Sequence, residues 1–80
     1  MRYVYILRCI DQSLYTGITT DLVRRVQEHN TSPKWAKYTS TRRPVYYVWS
    51  ESFISRLEAS RREYQIKKMT KINKEKLILS

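Results

Sequence analysis

The chain has 80 residues, with 16 Lys and Arg against seven Asp and Glu, one Cys and one His, and a formal net charge of +9. That length suits one domain over residues 1–80, with one small core and one shallow site, and leaves no room for a cofactor domain beside a substrate domain. A lone Cys9 excludes an internal disulfide, and a lone His29 excludes a His-rich zinc centre. No apolar run approaches the roughly 18 residues of a membrane span. The N-terminus lacks a signal-peptide core, so the expected location is cytoplasmic. The charge density favours a polyanionic partner, nucleic acid before an anionic membrane.

Residues Tyr3 to Cys9 read as a strand, with Tyr3, Tyr5, Leu7 and Cys9 on one face and Val4, Ile6 and Arg8 on the other. Asp11 and Gln12 make a turn, and Ser13 to Gly17 returns as an antiparallel strand. Gly17 is the only glycine, which implies a positive φ or a close approach at that position. Thr20 is the expected N-cap of a helix running to about Asn30, with Asp21 acidic in its first turn. Leu22, Val26 and His29 fall on one side of that helix, Arg25 and His29 project together, and Glu28 pairs with Arg24. Residues Thr31 to Arg43 form a long acid-free connection in which Trp35 and Tyr38 are interleaved with Lys34, Lys37, Arg42 and Arg43.

After Pro44, the nearly continuous apolar and aromatic run Val45 to Glu51 predicts a central strand buried on both faces. Ser55 and Glu58 form a capping box that opens a second long helix with Leu57, Ala59, Ile66 and Met69 as apolar positions. Asn73 is the expected cap of a short basic helix through Lys74, Lys76 and Leu79. The order is that of an α/β (α+β) chain on a small, mainly antiparallel sheet.

Metal clusters, Cys nucleophiles and phosphate-cradling Gly loops are absent from the sequence. No Ser is placed beside His29 to make a triad. What remains is a set suited to phosphate: strand tyrosines, Arg25, His29 and Glu63. Phosphodiester cleavage needs a cation for the developing charge, a carboxylate for a metal, and a group that positions water or takes its proton. Each residue also has a plain structural explanation. Strand tyrosines pack, Arg25 is a solvated charge, Glu63 pairs with Lys67, and His29 closes a helix end as a cation.

The stretch YVYILRCIDQSLYTGITTDLVRRVQEHN resembles the start of the GIY-YIG nuclease domain, in the small stand-alone bacterial form related to the nuclease half of UvrC. Its two triplets are Tyr3-Val4-Tyr5 and Tyr15-Thr16-Gly17, and the family arginine falls ten residues after Tyr15, on Arg25. His29 matches a histidine of some members. The helix ASRREYQIKK resembles the segment bearing the metal-binding Glu, which falls on Glu63 with Glu58 as a rival. The segment KYTSTRRPVYYVWSE resembles the third-strand region. The family's first-triplet Gly is Tyr3 here, and its Lys after the second Gly is Ile18.

The resemblance implies a GIY-YIG fold, a three-stranded antiparallel sheet flanked by helices, and an endonuclease using Mg²⁺ or Mn²⁺ on DNA. In that picture Glu63 holds the ion, Arg25 stabilises the phosphate, Tyr5 or Tyr15 places or deprotonates water, His29 assists, and Gly17 allows close passage of the chain. The two tyrosine hydroxyls are expected to converge near Arg25. Lys34, Lys37, Arg42, Arg43 and Lys67 are expected to contact nucleic acid, with Trp35 or Tyr38 stacking on an unpaired base. A protein partner supplying affinity or specificity is also expected. The rivals are a nucleic-acid-binding module without catalysis and an RNA-associated structural protein.

Overall fold

Strand β1 (Arg2–Arg8) runs between β2 (Leu14–Thr19) and β3 (Tyr46–Phe53), antiparallel to both, in a sheet of order β2-β1-β3. The structure, a computed structural model, describes residues 1–31 and 37–80, and the side chains of Lys37 and Tyr38 are outside that description. The central place falls to β1 because both its faces are apolar: Val4, Ile6 and Leu7 are fully buried and Tyr5 nearly so. Strand β3, expected at the centre, is instead at an edge. Tyr46, Tyr47, Glu51 and Ser52 are exposed there. Its run of large rings seals a sheet margin while keeping polar tips wet, as in the Tyr47 Oη–Ser50 Oγ hydrogen bond of 2.8 Å.

The hairpin between β1 and β2 closes where expected. The Asp11 carboxylate accepts from the Ser13 backbone N–H at 3.0 Å, and Gln12 takes the left-handed region at φ 72°.

Helix α1 (Leu22–Thr31) covers the face bearing Tyr5 and Leu7, through Leu22 and Val26. Its N-cap is Asp21 rather than Thr20. The Asp21 carboxylate accepts from the Arg24 N–H at 3.1 Å, and Thr19 Oγ1 accepts from the Asp21 N–H at 3.1 Å. Glu28 pairs with Arg25 at 3.4 Å, not with Arg24. The helix reaches Thr31, one residue beyond the expected Asn30. The Asn30 side-chain amide brackets the Val45 backbone, accepting from the N–H at 2.7 Å and donating to the carbonyl at 3.0 Å. The connection that follows, expected to be irregular, contains a short helix α2 (Lys37–Ser40) packed on α1.

On the other face, Ala59 and Ile66 of α3 (Arg56–Lys67) pack on Val4 and Ile6, joined by Met69 and by Leu77 and Ile78 of α4 (Lys71–Leu79). Ser55 caps α3 as expected, accepting from the Glu58 N–H at 3.2 Å. Leu57 was expected in the apolar face but is exposed. Helix α4 is capped by Thr70 rather than Asn73, whose N–H donates to Thr70 Oγ1 at 3.2 Å. Two hydrogen bonds from Arg8 to the Glu75 carboxylate, at 2.8 and 2.6 Å, clip α4 to the sheet.

Candidate active site

The strand register sets the first two site residues. Tyr5 stands opposite Gly17 and Leu7 opposite Tyr15, so the two tyrosines are diagonal neighbours on the face that α1 covers. Their ring centroids are 6.4 Å apart. His29 comes down from α1 edge-on to both, at 6.1 Å from Tyr5 and 5.1 Å from Tyr15. The imidazole is fully buried and uses both nitrogens: Nε2 lies 3.1 Å from Tyr5 Oη and Nδ1 lies 2.7 Å from Thr39 Oγ1. The rings of Tyr5, Tyr15 and His29 are thus neighbours on one face of the sheet, and the cluster adds Thr39, also fully buried.

The single glycine is required by close approach, not by backbone conformation, since its φ is not positive. The Tyr5 ring lies across it. A Cβ at position 17 would stand 2.5 Å from Tyr5 Oη and 2.7 Å from Tyr5 Cζ, well inside contact distance. The expectation that Gly17 admits the main chain is thus replaced by one in which it admits the Tyr5 ring.

Arg25 and Glu63 approach from helices on opposite faces of the sheet, and both act on the Tyr5 hydroxyl. Burial holds the Tyr5 phenol well above its ordinary range, and the neighbouring Tyr15 adds to this. The Arg25 guanidinium pulls the other way by charge and hydrogen bonding, while the Glu63 carboxylate pushes upward. Burial drives His29 down to about 4, with the Arg25 and Arg43 cations assisting. The imidazole is therefore neutral at neutral pH, not the helix-closing cation its position suggested.

Glu63 is half-buried and its Oε2 lies 3.2 Å from Lys67 Nζ. Among the described residues no group of three or more His, Cys, Asp or Glu side chains stands together. A single carboxylate oxygen donor fits Mg²⁺ or Mn²⁺ bound largely through water and substrate phosphate, and does not fit zinc. Glu58, the rival carboxylate, is exposed in the first turn of α3.

The expected nucleic-acid contacts divide. Lys34 and Trp35 lie outside the described residues, as do the side chains of Lys37 and Tyr38. Arg42 Nε donates to the Asp11 carboxylate at 3.0 Å, and Arg43 Nε donates to the His29 carbonyl at 2.7 Å. Arg42 thus ties this segment to the β1–β2 turn, and Arg43 ties it to the end of α1. Thr39 and Asn30 carry structural work in the site that their local sequence did not announce. Their contacts reach 10 and 15 residues along the chain, beyond any helical or strand period. An open apolar groove of about 440 Å³, lined by Leu22, Val23, Val26, Gln27 and Tyr47, is distinct from this cluster, and its lining holds no Asp, Glu, His, Lys or Arg.

Two strand tyrosines and a buried imidazole thus stand together on one face of a three-stranded antiparallel sheet, with the Arg25 cation beside Tyr5. Residues 1–76 match the GIY-YIG catalytic domain, and the chain belongs to the GIY-YIG nuclease family. It is 54% identical over 76 residues to a UPF0213 protein of Staphylococcus haemolyticus, covering 95% of this chain and 92% of that one. A UPF0213 protein of Desulfotalea psychrophila is 51% identical over 76 residues, covering 95% of this chain and 69% of that one. The solution NMR structure of a UPF0213 protein from Bacillus halodurans shares the fold at a TM-score of 0.62 and 48% identity, covering 98% of this chain and 83% of that one. None of the described helices is long and apolar enough to cross a membrane.

Proposed function

We propose that this chain is a structure-directed or weakly specific DNA endonuclease that hydrolyses phosphodiesters with one divalent ion, Mg²⁺ or Mn²⁺. The observation that carries this reading is the Tyr5 hydroxyl, which meets a neutral imidazole, a guanidinium and the field of a carboxylate at one point. Arg25 grips a phosphate oxygen and stabilises the charge that develops on phosphorus. Tyr5 places the attacking water and takes its proton, with His29 behind it, while half-buried Tyr15 lines the approach. Glu63 would hold the ion, which supplies charge neutralisation at the scissile phosphate when bound. The net charge of +9 suits a DNA partner, and a protein partner would add the affinity or selectivity that so small a surface lacks.

One observation favours the second reading, a nucleic-acid-binding module without catalysis: the Glu63 carboxylate is paired with Lys67. Incubation with Mg²⁺ or Mn²⁺ on flapped, nicked and supercoiled DNA separates the two. Wild-type protein is expected to cleave. Glu63→Gln is expected to abolish cleavage and retain DNA binding. Arg25→Ala is expected to lose about 100–1000-fold in rate and to bind more weakly. Tight binding without cleavage on all three substrates with both metals would favour the module.

A further inference from the structure

We propose that Thr39 is a positioning residue: its hydroxyl accepts the Nδ1 proton of His29, leaving Nε2 as a proton acceptor aimed at the Tyr5 hydroxyl. The neutral ring has one proton to place and two occupied nitrogens, 2.7 Å from Thr39 Oγ1 and 3.1 Å from Tyr5 Oη. Both hydroxyls can donate or accept, so the pair alone admits two arrangements. Arg25 decides between them. A guanidinium only donates, so the Tyr5 oxygen accepts from it and the phenol proton turns to Nε2. The reverse arrangement would aim two donors, Nε2–H and the guanidinium, at one phenol oxygen and turn the phenol proton away from the imidazole. The tautomer of a histidine is set by the bond its other nitrogen makes, and here that bond goes to Thr39. Tyr5, His29 and Thr39 are each at most 2% exposed, so water cannot easily exchange for either partner.

The consequence for cleavage rests on the nuclease reading above. Water gives a proton to Tyr5 Oη as the Tyr5 proton passes to His29 Nε2. The hydroxide oxygen forms the new bond to phosphorus. The bond from phosphorus to the leaving oxygen breaks with both electrons on that oxygen, which takes a proton from solvent. The imidazolium then returns the proton from Nε2 to Tyr5 Oη as Tyr5 gives up the proton it took from water to solvent. Such a relay works only if Nε2 starts unprotonated, which is what Thr39 secures.

Long-range proton–nitrogen NMR of the full chain near neutral pH reads the tautomer without any activity. Wild type and Thr39→Ser are expected to show His29 protonated at Nδ1. Thr39→Val, of nearly the same shape, is expected to populate the Nε2-protonated form. Its kcat is expected to fall about 10–100-fold at similar KM, as for other losses of a partner that orients a site histidine, and to recover in Thr39→Ser. Wild type protonated at Nε2, or a Thr39→Val spectrum identical to wild type, would overturn the proposal. So would Thr39→Val that changes tautomer but keeps the wild-type kcat. Should wild-type protein fail to cleave DNA, the nuclease reading falls while the spectra still decide the role of Thr39. The wild-type and Thr39→Ser spectra also suffice if Thr39→Val does not fold.

Discussion

The two faces of β1 come from alternate residues of one strand, yet they are built in different ways. On one face Val4 and Ile6 meet Ala59 and Ile66, with Met69, Leu77 and Ile78 around them. On the other, Tyr5 meets Gly17, His29 and Arg25, and His29 in turn meets Thr39. The first face depends on volume and apolar area, which are non-directional and tolerate exchange at constant size. The second depends on donors and acceptors that each need a specific partner, because an unpaired buried polar group costs about 1–3 kcal/mol. The first face is thus held by apolar packing, while the second sets a polar cluster among apolar neighbours such as Leu7, Val45, Leu22 and Val26, and changes on each side are expected to report differently.

The largest expected effect on stability is on the apolar side. Ile66→Ala removes a fully buried side chain and is expected to cost about 4 kcal/mol. Thermal unfolding would show a fall in Tm of more than about 10 °C, while the cleavage rate per folded molecule stays near wild type. A rate that falls in step with stability would break the separation of the two faces.

Next comes the pH dependence set by His29. Its pKa is lowered from 6.5 in the unfolded chain to about 4 in the fold, so the unfolded state binds the proton more readily. The stability this linkage contributes is fully present above 6.5 and is lost as pH falls from 6.5 toward 4. The loss is expected to be on the order of 3 kcal/mol. Unfolding midpoints in denaturant across that window check it, with His29→Gln expected to flatten the profile. An equally steep profile in His29→Gln would assign the effect to other groups.

Smaller in stability, and more selective, is Gly17→Ala. The added Cβ would stand 2.5 Å from Tyr5 Oη, and the ring is backed by His29, so the phenol must move. The expected cost is about 2 kcal/mol, as for other overpacked sites. Cleavage is expected to fall further than stability accounts for, since the Tyr5–His29 contact is displaced. A variant that unfolds like wild type and cleaves normally would show that the glycine serves something other than this close approach.

Period-two alternation made the two faces of β1 readable from the sequence alone, and the hairpin turn, the capping box of Ser55 and the pairing of Glu63 with Lys67 were equally local. Each depends on residues within about four positions of one another, where backbone geometry fixes which side chains meet. The triplets at Tyr3 and Tyr15, with Arg25 and Glu63 at their spacings, pointed to the family through resemblance, because many tyrosines in strands serve only packing. Caps were misplaced at Thr20 and Asn73 because several adequate capping residues stood close together, and only the path of the chain into each helix selects Asp21 and Thr70. The edge position of β3 was decided by tertiary structure: an aromatic run reads alike at the centre of a sheet and at its margin, and what differs is which strand pairs along both of its edges. The contact of Thr39 with His29 was likewise invisible along the chain. It exists because α2 folds back on α1, which brings together two side chains that no local period relates.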